Sequence, residues 1–407
     1  MKHVIIGAGA AGISAARTIR LNKKSDEIVI ISTDDAVYSR CMLHKFIGGV
    51  RNVAELSFIP SGFFEENNIR WRDGVTVTGL DTAGKRVLFN SGEETYDKLL
   101  IATGSKSVLP PIDGLRAAPL VCTLRDLSDA KEIRQKAVSA QNIVIIGAGL
   151  VGLDAAYGLV GMSKKPVIIE RAKTVLPSNL DAKAAAVYQY KFENTGCRFM
   201  LESVIQNIKF NDAGTSCVIK LACGEELPAD LLIVAAGVSP AIDFVHEKDM
   251  FSGKSLIVDK FLATNAEGVY AAGDATGLCE SWPSAQRQGE IAALNMCAIA
   301  AEYDDILTRQ NTVNFFGIPS LSVGRINPEP GDEEYIREDW RRYQKVITTD
   351  SIPVGVTLQG DISRSGFWQH VIKHKIPIAD CRDDIWKTSF ADSYALDDNG
   401  EYQYRIV

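Results

Sequence analysis

Two glycine clusters are the residues in this sequence best suited to chemistry. Gly7-Ala8-Gly9-Ala10-Ala11-Gly12 follows the apolar run Val4-Ile5-Ile6, and Gly147-Ala148-Gly149-Leu150-Val151-Gly152 follows the apolar residues 143–146. In both, G-x-G-x-x-G separates a short apolar strand from an alanine-rich helical stretch, residues 13–21 in the first and on to about residue 159 in the second. A turn of this spacing brings bare backbone up to a diphosphate, and the free N–H groups and positive dipole end of the next helix meet its charge. One such pattern is weak, but here each continues into a second apolar strand, residues 27–32 and 166–170. Together they imply a duplicated βαβ unit that binds two dinucleotides, with Gly7, Gly9 and Gly12 serving one and Gly147, Gly149 and Gly152 the other.

An acid at the end of the second strand of such a unit accepts hydrogen bonds from ribose hydroxyls. Glu170 stands there in the second copy and would repel a 2′-phosphate, so NAD(H) is expected over NADP(H). The first copy ends Ile30-Ile31-Ser32-Thr33-Asp34-Asp35, which leaves Ser32 and Asp34 as alternatives. Later, Val269-Tyr270-Ala271-Ala272-Gly273-Asp274 reads as a strand ending in Gly-Asp. Such an end allows close backbone approach and offers a carboxylate to sugar-like hydroxyls.

A chain of 407 residues suits two or three domains, and 46% hydrophobic with 23% charged residues is a globular α/β profile. The net charge of −7 and the lack of a long basic stretch argue against nucleic acid as a partner. No run of about 18 apolar residues would span a membrane, and the apolar start is too short for a signal peptide, so a cytoplasmic location is the default expectation. Cys41, Cys122, Cys197, Cys217, Cys223, Cys279, Cys297 and Cys381 form no C-x-x-C. A resident zinc or iron–sulfur centre is therefore not expected, and any cluster would belong to a partner. Residues 75–101 alternate like a small antiparallel ribbon, residues 200–234 repeat that pattern, and from about 310 Trp-, Tyr- and Arg-rich strands lead to a helical piece over 366–375.

With both turns in view, residues 1–305 resemble the FAD-dependent pyridine nucleotide–disulfide oxidoreductase superfamily, in particular its ferredoxin and rubredoxin reductases and its nitrite reductase and NADH oxidase branch. Ala102-Thr103-Gly104-Ser105 resembles the motif that closes the first FAD segment, Ala235-Ala236-Gly237-Val238 the return crossing, and Gly273-Asp274 the late FAD motif. The resemblance implies two Rossmann-like three-layer α/β domains, the NAD domain inserted in the FAD domain, plus a C-terminal α+β domain. The corresponding boundaries are 1–112 and 237–305 for FAD, 113–236 for NAD and 306–407 for an interface domain. Ala102, Thr103, Gly104, Gly237 and Asp274 are then expected at the cofactors.

Tyr38-Ser39-Arg40-Cys41-Met42-Leu43-His44-Lys45 is similar to the ferredoxin-reductase pattern Tyr-x-Arg-Pro-x-Leu-Ser-Lys, which implies Arg40 at the cofactor and Lys45 beside the flavin. Asp154 occupies the place of the glutamate that pairs with that lysine, one methylene shorter. Glu280 to Gly289 resembles a segment whose helix points its N-terminus at the flavin and whose tryptophan, here Trp282, lines the nicotinamide side. Cys41 falls where NADH oxidases and coenzyme A disulfide reductases carry a redox cysteine, and neighbouring Arg40 and Lys45 would lower its pKa. The implied activity is an electron transferase that takes two electrons from NADH and passes them singly to an iron–sulfur or rubredoxin-like protein, alone or within a larger redox complex, as a homodimer or hetero-oligomer. The alternative is a Cys41-dependent NADH oxidase, peroxidase or disulfide or persulfide reductase. In the leading reading Trp340, Arg341, Arg342 and Lys345 form an aromatic–basic acceptor surface.

Overall fold

A computed structural model describes residues 1–278, 281–304, 310–378, 385–396 and 398–404. Cys279, Glu280, Cys381 and the expected boundary at 305/306 lie outside the described residues.

Continuous apolar runs become the central parallel strands, because a parallel strand is covered on both faces. The first sheet is parallel throughout, in the order β20 (Val269–Ala271), β7 (Lys98–Ile101), β1 (Lys2–Ile6), β2 (Glu27–Ile31), β3 (Ile69–Arg72). The second repeats that plan with β12 (Arg198–Met200), β11 (Val167–Ile169), β10 (Ile143–Ile146), β16 (Leu231–Val234), β9 (Val121–Thr123). Strand β20 comes after every strand of the second sheet yet completes the first, so one α/β unit is inserted in the other.

Both sheets carry helices on one face and an antiparallel meander on the other. The first packs α1 (Ala10–Asn22) and α7 (Trp282–Met296) against one face and β4 (Val77–Asp81), β5 (Arg86–Phe89) and β6 (Gly92–Thr95) against the opposite one. The second packs α4 (Leu127–Ser139), α5 (Leu150–Gly161) and α6 (Ala182–Glu193) opposite β13 (Ile205–Phe210), β14 (Cys217–Leu221) and β15 (Glu226–Ala229). Short α2 (Leu43–Ile47) of the first unit lies on α5, and α3 (Phe63–Glu66) precedes β3. The two chain crossings between the units, β8 (Ser105–Ser107) and β17 (Val238–Pro240), pair with each other antiparallel, and β18 (Phe251–Ser252) and β19 (Ser255–Leu256) make a small ribbon nearby.

The C-terminal region is an antiparallel sheet in the order β21 (Gln310–Phe315), β22 (Ile318–Gly324), β25 (Ile352–Gln359), β24 (Arg342–Thr349), β23 (Glu333–Asp339), with α8 (Ser365–Lys373) buried against it. No helix among the described residues is long and apolar enough to cross a membrane.

Candidate active site

The helices that follow the glycine turns are capped differently from their neighbours. Asp126, Asp181 and Ser281 accept backbone N–H groups at the starts of α4, α6 and α7, whereas Gly9 and Gly149 cap α1 and α5 with no side-chain bond. The amide donors of α1 and α5 are thus left for something else, which is what an anion at a helix N-terminus requires. A Cβ on Gly7 would stand 2.2 Å from the Ala102 carbonyl oxygen, and one on Gly12 1.9 Å from that of Gly7, so these two glycines serve close backbone packing. A Cβ on Gly9 would meet nothing within 4 Å. Gly147, Gly152 and Gly149 repeat the arrangement, at 2.5 Å from Ala235 O, 2.0 Å from Gly147 O and in open space. Both cradles fit a diphosphate: tight where the turn must close, bare where a ligand would lie.

The first cradle opens into a cavity of about 460 Å³. Its wall includes Gly7, Gly9, Ser32, Asp34, Arg40, Cys41, Ala102, Thr103, Gly104, Gly273, Asp274 and Trp282. Gly104 and Gly273 have φ of +67° and +74°, a backbone state that favours glycine, and the same holds for Gly237 at +124°. Asp34 receives Arg40 Nη2 at 2.7 Å and the Tyr38 hydroxyl at 2.8 Å, while Ser32 Oγ accepts Asp34 N–H at 3.2 Å. The Asp34 carboxylate is therefore held by two donors and its backbone by Ser32.

Asp274 is held by two donors at 2.7 Å, the Ser105 hydroxyl and Arg125 Nη2. Arg125 comes from the β9–α4 connection of the second unit, and its carbonyl accepts Arg40 Nη1 at 3.0 Å, so one arginine ties both units together at the cavity. Beneath it, fully buried Gln288 accepts Gly273 N–H at 2.7 Å and fixes the turn that aims Asp274. In the second unit, Glu170 accepts Ala148 N–H at 2.8 Å and Ala172 N–H at 2.9 Å, which fixes its carboxylate beside the glycine turn.

Trp282 is the first residue of α7 and packs edge to face on Phe58, with ring centroids 4.8 Å apart. The Lys45–Asp154 pair is not formed. Lys45 Nζ lies 5.1 Å above the Tyr157 ring, and Asp154 faces buried His44, whose Nδ1 is 3.1 Å away. That approach is ionic in distance but not a well-aligned hydrogen bond. Neither Lys45 nor Asp154 is on the cavity wall. Cys41 is exposed to the cavity yet packed round by protein; burial foremost, then Asp154, pushes its thiol pKa up, with Arg125 opposing. The lowering expected from Arg40 and Lys45 is thus overturned by burial and by Asp154; Arg40 itself is engaged with Asp34 and Lys45 with Tyr157.

Against this geometry, the profile of the pyridine nucleotide-disulphide oxidoreductase family matches residues 1–289. The chain belongs to that family. It is an FAD- and NAD(H)-dependent oxidoreductase. Residues 310–376 also match the rubredoxin NAD+ reductase C-terminal domain. The epsilon subunit of the NADH-dependent phenylglyoxylate dehydrogenase of Aromatoleum evansii is 29% identical over 85% of each chain. The rubredoxin-NAD(+) reductase of Ectopseudomonas oleovorans is 31% identical over 67% of this chain and 71% of its own. Among solved structures, an NAD-dependent persulfide reductase from A. fulgidus superposes with a TM-score of 0.84 at 24% identity, covering 96% of this chain and 80% of its own, a likeness of fold.

In this oxidoreductase the C-terminal basic cluster is also not as expected. Lys345 is buried and bound to Asp181 at 2.8 Å, and Arg342 pairs with Asp339 at 2.8 Å. Only Trp340, 85% exposed, and Arg341, 4.1 Å over its ring, stay together at the β23–β24 turn. Sequence reasoning missed Arg125 on the cavity wall, and Tyr157 and His44 as the partners of Lys45 and Asp154. The first two carry no motif of their own, and His44 stood inside a quoted pattern at a position that pattern fills with serine.

Proposed function

We propose that this oxidoreductase moves electrons between NADH and an iron–sulfur or rubredoxin-like protein, as a separate reductase or as one subunit of a larger redox assembly. The glycine turn at 7–12, Ser32 or Asp34, and Asp274 would hold FAD; the turn at 147–152 and Glu170 would hold NAD(H). Bound FAD supplies the conversion from electron pairs to single electrons. The chain's part is to bind, orient and polarise. The N-terminus of α7 opens on the cavity wall at Trp282 and offers positive dipole to charge that builds there. Lys45, off the cavity wall and held on the Tyr157 ring, is a fixed cation at the contact of α2 with α5.

The observation that carries this reading is that the basic neighbours of Cys41 are all turned to other partners, Arg40 to Asp34, His44 to Asp154, Lys45 to Tyr157 and Arg125 to Asp274. A thiol whose neighbouring cations are all engaged, and whose burial disfavours the thiolate, is a poor two-electron relay. The match of residues 310–376 to a rubredoxin reductase C-terminal domain, and the similarity to a dehydrogenase subunit, support a protein acceptor. The place of Cys41 on the cavity wall favours a second reading, reduction of oxygen, peroxide, a disulfide or a persulfide through that thiol. Replacing Cys41 by Ser separates them. An electron transferase keeps NADH-driven dye reduction and reduction of a co-purifying cluster protein within about two-fold; loss of turnover on small substrates in that variant would establish the second reading instead.

A further inference from the structure

Asp154 and His44 meet where three parts of the chain converge. Asp154 is in the second turn of α5, the helix that rises from the second glycine turn; His44 is in α2, which begins just after Cys41 on the wall of the first cavity. The two helices cross almost backbone to backbone. A Cβ on Gly158 would stand 2.8 Å from Ile47 Cβ and 2.9 Å from the His44 carbonyl oxygen, and one on Gly161 3.1 Å from Gly48 Cα. Such a crossing leaves no slack for one unit to slide over the other.

The His44 ring is then boxed from outside. Its centroid is 5.8 Å from that of Tyr157 on α5 and 6.5 Å from that of Phe315 at the end of β21, so the C-terminal domain also touches it. With the ring 8% exposed and its Nδ1 3.1 Å from Asp154, the imidazole is held between that carboxylate and the two aromatic rings. Lys45, displaced from the carboxylate, keeps its charge on Tyr157 instead. The acid of one unit is thus met by the histidine of the other, one residue before the expected lysine.

We propose that His44 and Asp154 are a positioning pair that sets the two nucleotide units in register, so that the ends of the two cofactors meet. Neither side chain lines the first cavity; the pair acts by fixing α2 against α5. This rests on assigning the first cradle to FAD and the second to NAD(H).

The test is rapid-reaction reduction of the FAD-loaded protein by NADH in His44→Gln, His44→Asn, Asp154→Asn and the His44→Gln/Asp154→Asn double variant. Flavin content and the Kd for NAD+ are measured alongside. Asparagine can place an amide nitrogen near the Nδ1 position, and glutamine cannot. His44→Gln and Asp154→Asn should each slow flavin reduction about ten-fold or more, as expected for a small misplacement of reacting groups. Flavin content should stay full and the NAD+ Kd stay within about two-fold, since the cradles are untouched. The double variant should be no slower than the slower single one, because both remove the same contact. His44→Asn should recover most of the rate. Unchanged rates in both singles, losses that multiply in the double variant, or equal damage from asparagine and glutamine would overturn the pairing. Loss of flavin and NAD+ affinity together with rate would make the contact a general structural one and overturn it too. Asp154 is 26% exposed, so Asp154→Asn reports even if the His44 variants fail to fold. A wild-type protein that NADH does not bleach would instead remove the cofactor assignment beneath the proposal.

Discussion

Glu170 accepts two backbone N–H groups at 2.8 and 2.9 Å, so its charge cannot swing away from a dinucleotide entering the second turn. A 2′-phosphate there would face a pinned carboxylate, and discrimination by repulsion follows. Glu170→Gln should lower the ratio of kcat/KM for NADH over NADPH about ten-fold or more, read from steady-state dye reduction with each nucleotide. An unchanged ratio would place the discrimination elsewhere. Glu94 tests charge of another kind. Its side chain, 5% exposed, is bound by Lys2, Arg70 and Arg72, the arginines at 2.9 and 2.8 Å. Burial alone would raise the carboxyl, but these three cations outweigh it and hold its pKa below the ordinary 4.5. Its stabilisation is therefore complete above that value and lost as pH falls through the depressed one. Glu94→Gln should cost about 1–3 kcal/mol at neutral pH in urea unfolding. The gap between the two proteins should close as pH drops below 4.5; a gap that persists there would mean packing, not charge.

At the scale of elements, the crossing of α1 and α7 aims two helix N-termini at one cavity. It depends on Gly289, where a Cβ would fall 2.1 Å from the Ala11 carbonyl oxygen, a backbone atom with nowhere to go. Gly289→Ala gains about 1 kcal/mol of helix propensity but forces the helices apart, and overpacking of this kind costs about 1–3 kcal/mol or more. The expected result is a lower melting temperature together with weaker FAD retention on gel filtration. A lower melting temperature with full flavin would mean that the helices part without disturbing the cavity. Elements like these were legible in the sequence because their signals are local. The glycine turns, the apolar strands beside them and the Gly-Asp strand end each lie within a few residues, and the duplicated sheets followed from them. Contacts that cross between units were not legible. Arg125 and Asp274 are 149 positions apart, and nothing near either residue names the other. The same holds for Lys45, whose motif suggested Asp154 while the fold delivered Tyr157, and for Lys345, which reads as a surface cation in a strand and is buried by a helix from another domain.

Lys345 also bears on how the whole molecule is held together. The C-terminal sheet sits on α6 of the second unit through contacts that are polar as well as aromatic. Lys345 and Asp181 lie 2.8 Å apart with both side chains 5% exposed, and the Tyr343 hydroxyl adds a bond to Asp181 at 3.0 Å. Gln359 Nε2 donates to the Ala184 carbonyl at 3.0 Å, and the Tyr188 hydroxyl meets Ser320 Oγ at 2.8 Å. Phe315 supplies the apolar part, with ring centroids 5.5 Å from both Tyr188 and Phe192. A buried pair of this kind adds little over an apolar substitute while intact, but losing one partner strands the other charge, at a cost of about 3–5 kcal/mol. Asp181 also caps α6, accepting Lys183 and Ala184 N–H at 3.0 Å, so without Lys345 its charge would keep these donors, the Tyr343 hydroxyl and the positive end of the helix, which brings the cost below that range. Lys345→Met should therefore lower the unfolding free energy by about 1–3 kcal/mol, and limited proteolysis should release the C-terminal domain before the two nucleotide units are cut. Because Phe315 touches His44, undocking should also slow flavin reduction by NADH without emptying the flavin site. If the variant loses stability but the rate holds, the C-terminal domain is a docked partner surface and takes no part in aligning the two nucleotide units.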